Sequence, residues 1–503
     1  MKTSIIKAVV ATVVLLSAVS FVSAKSNPID VAVERSLAQN NITPSSLCED
    51  DIFLRRTYLI LTGKIPTIEQ CEAFLKSKSS KKRTELIDQL LASEEFVDFQ
   101  VLKWGDLLKV KSEFPSNLWP NGVQAYNRWL REKIRANTPY DQFVAQLLSG
   151  TGSNFRHPQI NFYRAFVTRE PKIIADNVEL LFLGRRESQP QAQNFFTQLR
   201  YKTTKEWKEE IVYVDLDTEP TATSFKMDDG VKVTITKGAD FRDPYIAWLT
   251  SRSNKQFACA YANRVWYWLM GRGIVHEPDD FKADNKPSNP ELLELLTKKV
   301  VELNFDTRKI MRFILTSKTY QRSSLSNANN RADVALFSHY PTTRLSAEAI
   351  IDGISIITGI NDRYVSRVPE PYSYYPSDLL SWQIGDATVS SPQLDLFGRP
   401  SRDYSLESDR SNSLNNKQTL YLLNSTTIVT KIQSSNKIKA LVESCSSREE
   451  VIDKVYLMMV ARYPDQEDLA FVNHFIGAKL ANRMVANNLV WSLLNSTEFI
   501  FNH

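Results

Sequence analysis

The sequence predicts a mainly α, multi-helix exported protein with a degenerate helical repeat and a small β-hairpin insertion. Three observations predict it. Apolar residues recur at i, i+3 and i+4 over most of the chain, the spacing of one buried helix face. A Ser-x-x-aromatic phrase closes three similarly built stretches, Phe53 to Phe96, Val265 to Tyr320 and Val455 to Phe499. Period-two alternation, the mark of a half-buried strand, is confined to a short region between residues 206 and 240.

Residues 1–24 read as a cleaved secretory signal. Lys2 and Lys7 precede an apolar run from Ala8 to Val22, and Val22-Ser23-Ala24 supplies the small residues of a cut after Ala24. The run is too short for a comfortable membrane span, and no later run approaches the roughly 18 residues a spanning helix needs. The expected mature chain is periplasmic or extracellular, with no transmembrane segment. Losing the signal removes two lysines and no acid, leaving 60 basic against 57 acidic side chains. With no dense basic block beyond Lys81-Lys82-Arg83, charge suggests neither nucleic acid nor an anionic membrane as partner. A hydrophobic content of 43% over 503 residues can bury a large core, spread over two or three domains.

A short helix is expected from Asp30 to Leu37, then a polar turn from Asn40 to Pro44. The run from Ile52 to Leu61 is helical; Gly63 ends it, and Pro66-Thr67 opens the next helix at Ile68. Lys82 to Ala92 is a third helix, and Ser93 starts a fourth that runs to Val110. The Ser93 hydroxyl is suited to cap the free amides of that helix start, while Glu94 and Glu95 meet the positive end of its dipole. Ser317 and Ser496 stand in the same relation to Tyr320 and Phe499. Tyr58-Leu59 and Lys64-Ile65-Pro66-Thr67 align with Tyr456-Leu457 and Arg462-Tyr463-Pro464-Asp465, so the copies are read as one repeat used for packing.

Tyr126 to Ala136, Tyr140 to Leu148 and Ile173 to Phe182 are further helices, the last ended at Gly184. The loop Ser149-Gly150-Thr151-Gly152-Ser153 has the flexibility of an anion cradle but lacks the Lys-Ser or Lys-Thr of a phosphate loop. Strands are expected from Ile211 to Leu216 and from Val231 to Ile235, with Met227-Asp228-Asp229-Gly230 as a hairpin turn. This divides the mature chain into a helical domain at 25–205, a β insertion at 206–240 and a second helical domain at 241–503. In the latter, Asp243-Pro244 caps a helix through Leu249, and Asn289-Pro290 and Asp306 start amphipathic helices. Ser324 to Pro341 is a polar linker before a helix from Leu345 to Thr358. Asp362 to Asp409 has little periodicity, as functional surface loops often do, and helix resumes from Thr419 to Ile432 and from Ile438 to Val442.

The motifs carry a resemblance. Phe53-Leu54-Arg55-Arg56-Thr57-Tyr58-Leu59, Leu61-Thr62-Gly63-Lys64-Ile65-Pro66-Thr67 and Leu91-Ala92-Ser93 resemble the domain of unknown function 1549. Ala262-Asn263-Arg264-Val265-Trp266, Gly271-Arg272-Gly273, Asp279-Asp280-Phe281 and Phe397-Gly398-Arg399-Pro400-Ser401-Arg402-Asp403 resemble its companion, the domain of unknown function 1553. That pair belongs to planctomycete-type, cytochrome-associated exported proteins. The resemblance implies a Cys-x-x-Cys-His haem segment after Phe182-Leu183-Gly184, but Gln189, Ala192 and Gln193 occupy the cysteine and histidine positions and cannot ligate or tether haem. A Cys-Glu-Cys-Glu-Arg segment of the family likewise appears as Leu406-Glu407-Ser408-Asp409-Arg410. No cofactor is expected. The resemblance also implies a sulfatase-like exported partner or a polysaccharide.

Among polar residues, Arg399, Arg402, Asp403, Glu407, Asp409 and Arg410 form the best constellation. Three arginines with three acids suit bidentate binding of a carboxylate or sulfate, or positioning of a carbohydrate; the competing reading is an ion-pair lattice that pins a loop. His276-Glu277-Pro278-Asp279-Asp280 offers cation ligands but reads better as a turn, and no metal site or catalytic residue is assigned. Tyr126, Trp129, Trp266, Trp268, Tyr372, Tyr374 and Tyr375 are of the type that stacks on sugars, with core packing favoured for Trp266 and Trp268. Cys48 and Cys71 are candidates for a disulfide, against a reading of Cys71 and Cys259 as buried thiols. The expected function is a non-catalytic binding or assembly protein; the alternative is a polysaccharide hydrolase or lyase using the 399–410 loop, and a degenerate electron-transfer role ranks third.

Overall fold

The computed structural model describes residues 26–368, 374–477 and 480–503, with backbone alone at 475–477. The segment 1–24, expected to be a signal, and Tyr372 lie outside the described residues. Helices dominate, and no described helix is long and apolar enough to cross a membrane.

The three repeat copies share one layout. Each opens on a long helix, Asp50–Thr62, Lys255–Met270 or Arg448–Val460. Each helix ends on a left-handed residue, Gly63, Gly271 or Ala461, with φ of 68°, 70° and 64°. The amide of that residue closes the last turn on the carbonyl of Leu59, Tyr267 or Leu457. A loop then reaches a capped second helix, where Thr67, Asn289 and Asp465 accept from the amides of Gln70, Leu292 and Asp468. A third helix follows, Lys82–Leu91, Thr307–Leu315 or Asn482–Leu494.

The closing serines behave alike. Ser93, Ser317 and Ser496 accept from the amides of Phe96, Tyr320 and Phe499 at 3.1, 3.2 and 3.2 Å. Each hydroxyl donates back to the third helix, to the carbonyl of Leu90, Ile314 or Leu493, at 2.7, 2.6 and 2.7 Å. The serine therefore joins the end of one helix to the start of the next segment and drives the aromatic ring inward; Phe96, Tyr320 and Phe499 are all buried. Matching positions even carry matching ion pairs, Lys64 with Glu95 at 3.5 Å and Arg462 with Glu498 at 2.6 Å.

The β structure extends beyond the predicted insertion. Leu199–Thr203 pairs antiparallel with Glu210–Val214, with Tyr201 opposite Val212, and Gly152–Ser153 adds to the other edge. The predicted hairpin forms separately, Ser224–Lys226 against Lys232–Thr234 around Gly230 at φ 84°. Two helices also depart from expectation. Trp119–Arg135 begins before Tyr126 because Pro120 sits in a first turn, where its missing amide costs nothing. The stretch from Thr419 to Ile432 is two helices, Asn416–Asn424 and Thr426–Ser434, broken where the Ser425 hydroxyl accepts from the Ile428 amide.

Cys48 and Cys71 form no disulfide: both are free and buried. Cys71 sits in the helix Ile68–Lys76 and its thiol donates to the Leu457 carbonyl at 3.7 Å, while the Cys48 amide is bonded to the Gln321 carbonyl. Burial pushes both thiols up, that of Cys71 to about 12.

Two large hydrophobic cores result. One gathers side chains from Ile29 through Tyr340, joined by Leu457 and Ala461. The other runs from Leu345 to Ile500 and takes in Leu59 and Ile65 from the first copy. Trp266, Trp268, Tyr126 and Trp129 lie in the first core and are not available as a sugar platform, whereas Tyr374 is exposed.

Candidate functional site

The predicted 399–410 constellation is brought together, and its arginines are engaged within the protein. Arg399 donates to Asp395 at 2.8 Å and to the Val389 carbonyl at 2.8 Å. Arg402, 3% exposed and left-handed at φ 59°, donates to Asp106 at 2.8 Å and to the carbonyls of Val110 and Gly385 at 2.9 and 2.7 Å. Its guanidinium lies against Gly105, where an added Cβ would stand 3.3 Å away. Arg410 bridges Glu348 at 2.5 Å and Asp106 at 2.6 Å. Asp403 accepts from Lys111 at 2.6 Å, and Asp409 from the Arg402 amide and the Ser401 hydroxyl. These contacts tie the loop to the helices Glu94–Leu107 and Ala347–Thr358.

Glu407 points elsewhere. Its carboxylate accepts from the Trp268 indole at 2.7 Å, and its amide donates to Asp279 at 2.7 Å. Asp279 in turn accepts from the buried Arg264 at 2.7 Å, which makes the 276–280 segment a structural turn. Burial, then the neighbouring Asp279 charge, raise Glu407 to about 7.

Glu407 and Arg410 line a cavity of about 140 Å³. Its walls come from the first copy (Leu59, Ile60), the helix after it (Phe99, Leu102, Lys103, Asp106), the second copy (Tyr267, Trp268) and the strand pair Thr343–Arg344 with Phe501–Asn502. Among the described residues, Lys103 and Asn502 stand here with side chains that have no hydrogen-bond partner. Lys103 makes no hydrogen bond or ion pair among the described residues; its ammonium sits 4.6 Å from the Phe99 ring centre and 5.4 Å from that of Trp268. Desolvation lowers its proton affinity to about 8, against the opposing pull of Glu407. Asn502 is 3% exposed, and neither its Oδ1 nor its Nδ2 has a protein partner. A mostly apolar hollow with a few convergent polar groups is the ordinary form of a small-molecule site.

Neither Lys103 nor Asn502 was among the residues singled out from sequence. A signal for Lys103 exists: Phe99, Leu102 and Leu107 put it on the apolar side of its helix. Nothing local marks Asn502, because the Phe501–Asn502 strand is placed by a partner far along the chain.

The positions implied for haem do not fit it. Gln189 donates its side-chain amide to Glu179 at 3.2 Å and accepts from the Asp228 amide at 2.8 Å. Ala192 is fully buried, and Gln193 donates to the Pro190 carbonyl. The segment is folded around the buried Glu179, which also meets Arg185 and the Tyr245 hydroxyl at 3.3 Å each.

Family models account for most of the chain. One, described as a protein of unknown function (DUF1549) and labelled PSCyt2, matches residues 28–225. Another, described as a protein of unknown function (DUF1553) and labelled PSD1, matches residues 242–476. No curated protein and no solved structure matches the chain.

Proposed function

The chain belongs to the family that pairs DUF1549 with DUF1553, and from that premise we propose an exported, non-catalytic, helical binding protein that serves a polysaccharide-processing system beside a sulfatase-like partner. Its ligand site is the cavity between the two family domains. The observation that carries this reading is that the loop arginines are engaged within the protein while Lys103 and Asn502, in one apolar-walled hollow, have no partner.

The test is a thermal-shift and calorimetric survey of the secreted chain against neutral and anionic small molecules. At least one class is expected to bind the wild type and not Asn412→Trp, a change at an exposed position on the cavity lining. Binding unaffected by that block, or no binding at all, would remove the cavity from consideration. Co-purification with a sulfatase-like exported protein tests the partner.

One observation favours the second reading, a hydrolase or lyase on surface polysaccharide. Glu407 and Lys103 both titrate near neutrality in the same cavity, the condition under which an acid and a base exchange protons with a substrate. New reducing ends or unsaturated products that vanish in Glu407→Gln would establish it over the binding role.

A further inference from the structure

We propose that the cavity takes a small hydroxylated carboxylate, a sugar acid, with its carboxylate on Lys103 and a hydroxyl on Asn502. This rests on the cavity being the ligand site, and three features of its lining define the ligand.

The first is charge. Among the residues that line the cavity, Lys103, Arg344 and Arg410 stand against the carboxylates Asp106 and Glu407, one cation in excess. The carboxylates meet Arg264, Arg402 and Arg410, and Arg344 donates to the carbonyls of Leu345, Phe397 and Ser411. Lys103 is left as a cation with no hydrogen bond or ion pair to an oxygen among the described residues. One negative charge completes this set; a cationic ligand would add to the surplus, and a dianion would overshoot it in a site that screens poorly.

The second is the Asn502 side chain. Its amide offers a donor and an acceptor, both buried and both unmet. A bare carboxylate can satisfy only the donor, whereas a hydroxyl beside it both accepts and donates. Buried polar groups left unpaired cost stability, so a site that keeps two of them in one amide is built to fill them from outside. The third is the wall. Trp268, Phe99 and Leu102 line it with apolar surface that a hydrated inorganic anion cannot use and that the C–H groups of a small organic anion can. Trp268 is held for this by its indole bond to Glu407.

Sugar acids occur free and as the ends of acidic polysaccharides, and both present the same carboxylate, hydroxyls and ring. The experiment is titration calorimetry of the secreted full chain with glucuronate, its methyl ester, glucose and a glucuronate-ended trisaccharide. The acid is expected to bind at least tenfold more tightly than the ester or glucose, and Lys103→Met to lose that preference. Equal affinity for acid and trisaccharide assigns the free acid as ligand; a tighter trisaccharide assigns the polymer end. An ester or glucose that binds the wild type as well as the acid does would overturn the proposal, whether or not the variant folds. So would an acid that binds Lys103→Met within twofold of wild type. If neutral compounds bind and acids do not, only the sugar-acid assignment falls; if nothing binds, the cavity falls as well.

Discussion

At the scale of the residue, two half-buried cations show how differently one charge can be used. Arg410 is matched on both sides, by Glu348, which is 1% exposed, and by Asp106. Replacing it with Met strands Glu348 while Asp106 keeps Arg402, and a loss of about 3–5 kcal/mol in urea denaturation is expected. Adding Glu348→Gln should restore part of that loss, since the stranded charge goes with it. Lys103 is the opposite case, a desolvated ammonium with only aromatic faces beside it. Lys103→Met should therefore stabilise the ligand-free protein at pH 7 by about 1–2 kcal/mol, the shift being discounted because the cavity admits water and the cation–π contacts are lost. The sign follows from linkage. The folded state gives up this proton near pH 8 and the unfolded chain near 10.4, so between them the unfolded state holds more protons and wild-type stability rises with pH. The advantage of Lys103→Met should shrink across that window; an advantage constant from pH 7 to 10 would show that Lys103 is not desolvated. The loop charges were legible in the sequence as a cluster, but whether each finds a carboxylate inside the protein is decided by helices nearly 300 positions away, as Arg402 with Asp106 shows. That pairing has no local signature.

At the scale of the element, the serine caps test whether the repeat is a shared structural device. Each hydroxyl accepts from one amide and donates to one carbonyl with nearly the same geometry in all three copies. Ser93→Ala, Ser317→Ala and Ser496→Ala should each cost about 0.5–2 kcal/mol, read as a shift in denaturation midpoint without a change in slope. Ser317 is fully buried, so its alanine variant belongs at the upper end. A variant with no measurable loss would show that its cap is decorative. These elements were legible because caps, left-handed glycines and apolar spacing act over a few residues. Ala461 is the instructive exception, a left-handed residue without the glycine that announced Gly63 and Gly271. The strand Leu199–Thr203 was missed for the converse reason: its alternation is short, and its pairing with Glu210–Val214 is what fixes it as a strand.

At the scale of the whole molecule, the copies converge on one helix. Asp50–Thr62 carries two adjacent buried arginines, and each reads the closing segment of a different copy. Arg56 donates to the carbonyl of Tyr320 at 2.6 Å and stacks on Tyr340 at 3.8 Å, closing the second copy onto the first. Arg55 donates to the carbonyls of Phe499 and Phe501 at 2.9 Å each, closing the third copy onto the same helix. Arg56 also reaches the His503 carbonyl at 3.0 Å, so the strand that places Asn502 in the cavity wall is held by the same pair. The two cores are joined by Leu59, Ile65, Leu457 and Ala461, which cross between them, and by these charged donors on backbone carbonyls, and the cavity lies on the seam they hold. Methionine at both positions keeps much of the buried stem but removes every donor, at about 1–3 kcal/mol for each carbonyl left unpaired. Scanning calorimetry should show one cooperative transition for the wild type and two for Arg55→Met/Arg56→Met, the Leu345 to Ile500 core melting first because its hydrogen-bonded links to this helix are gone. Two transitions already present in the wild type, or a single one retained in the double variant at a lower temperature, would mean that the arginines add stability without coupling the cores.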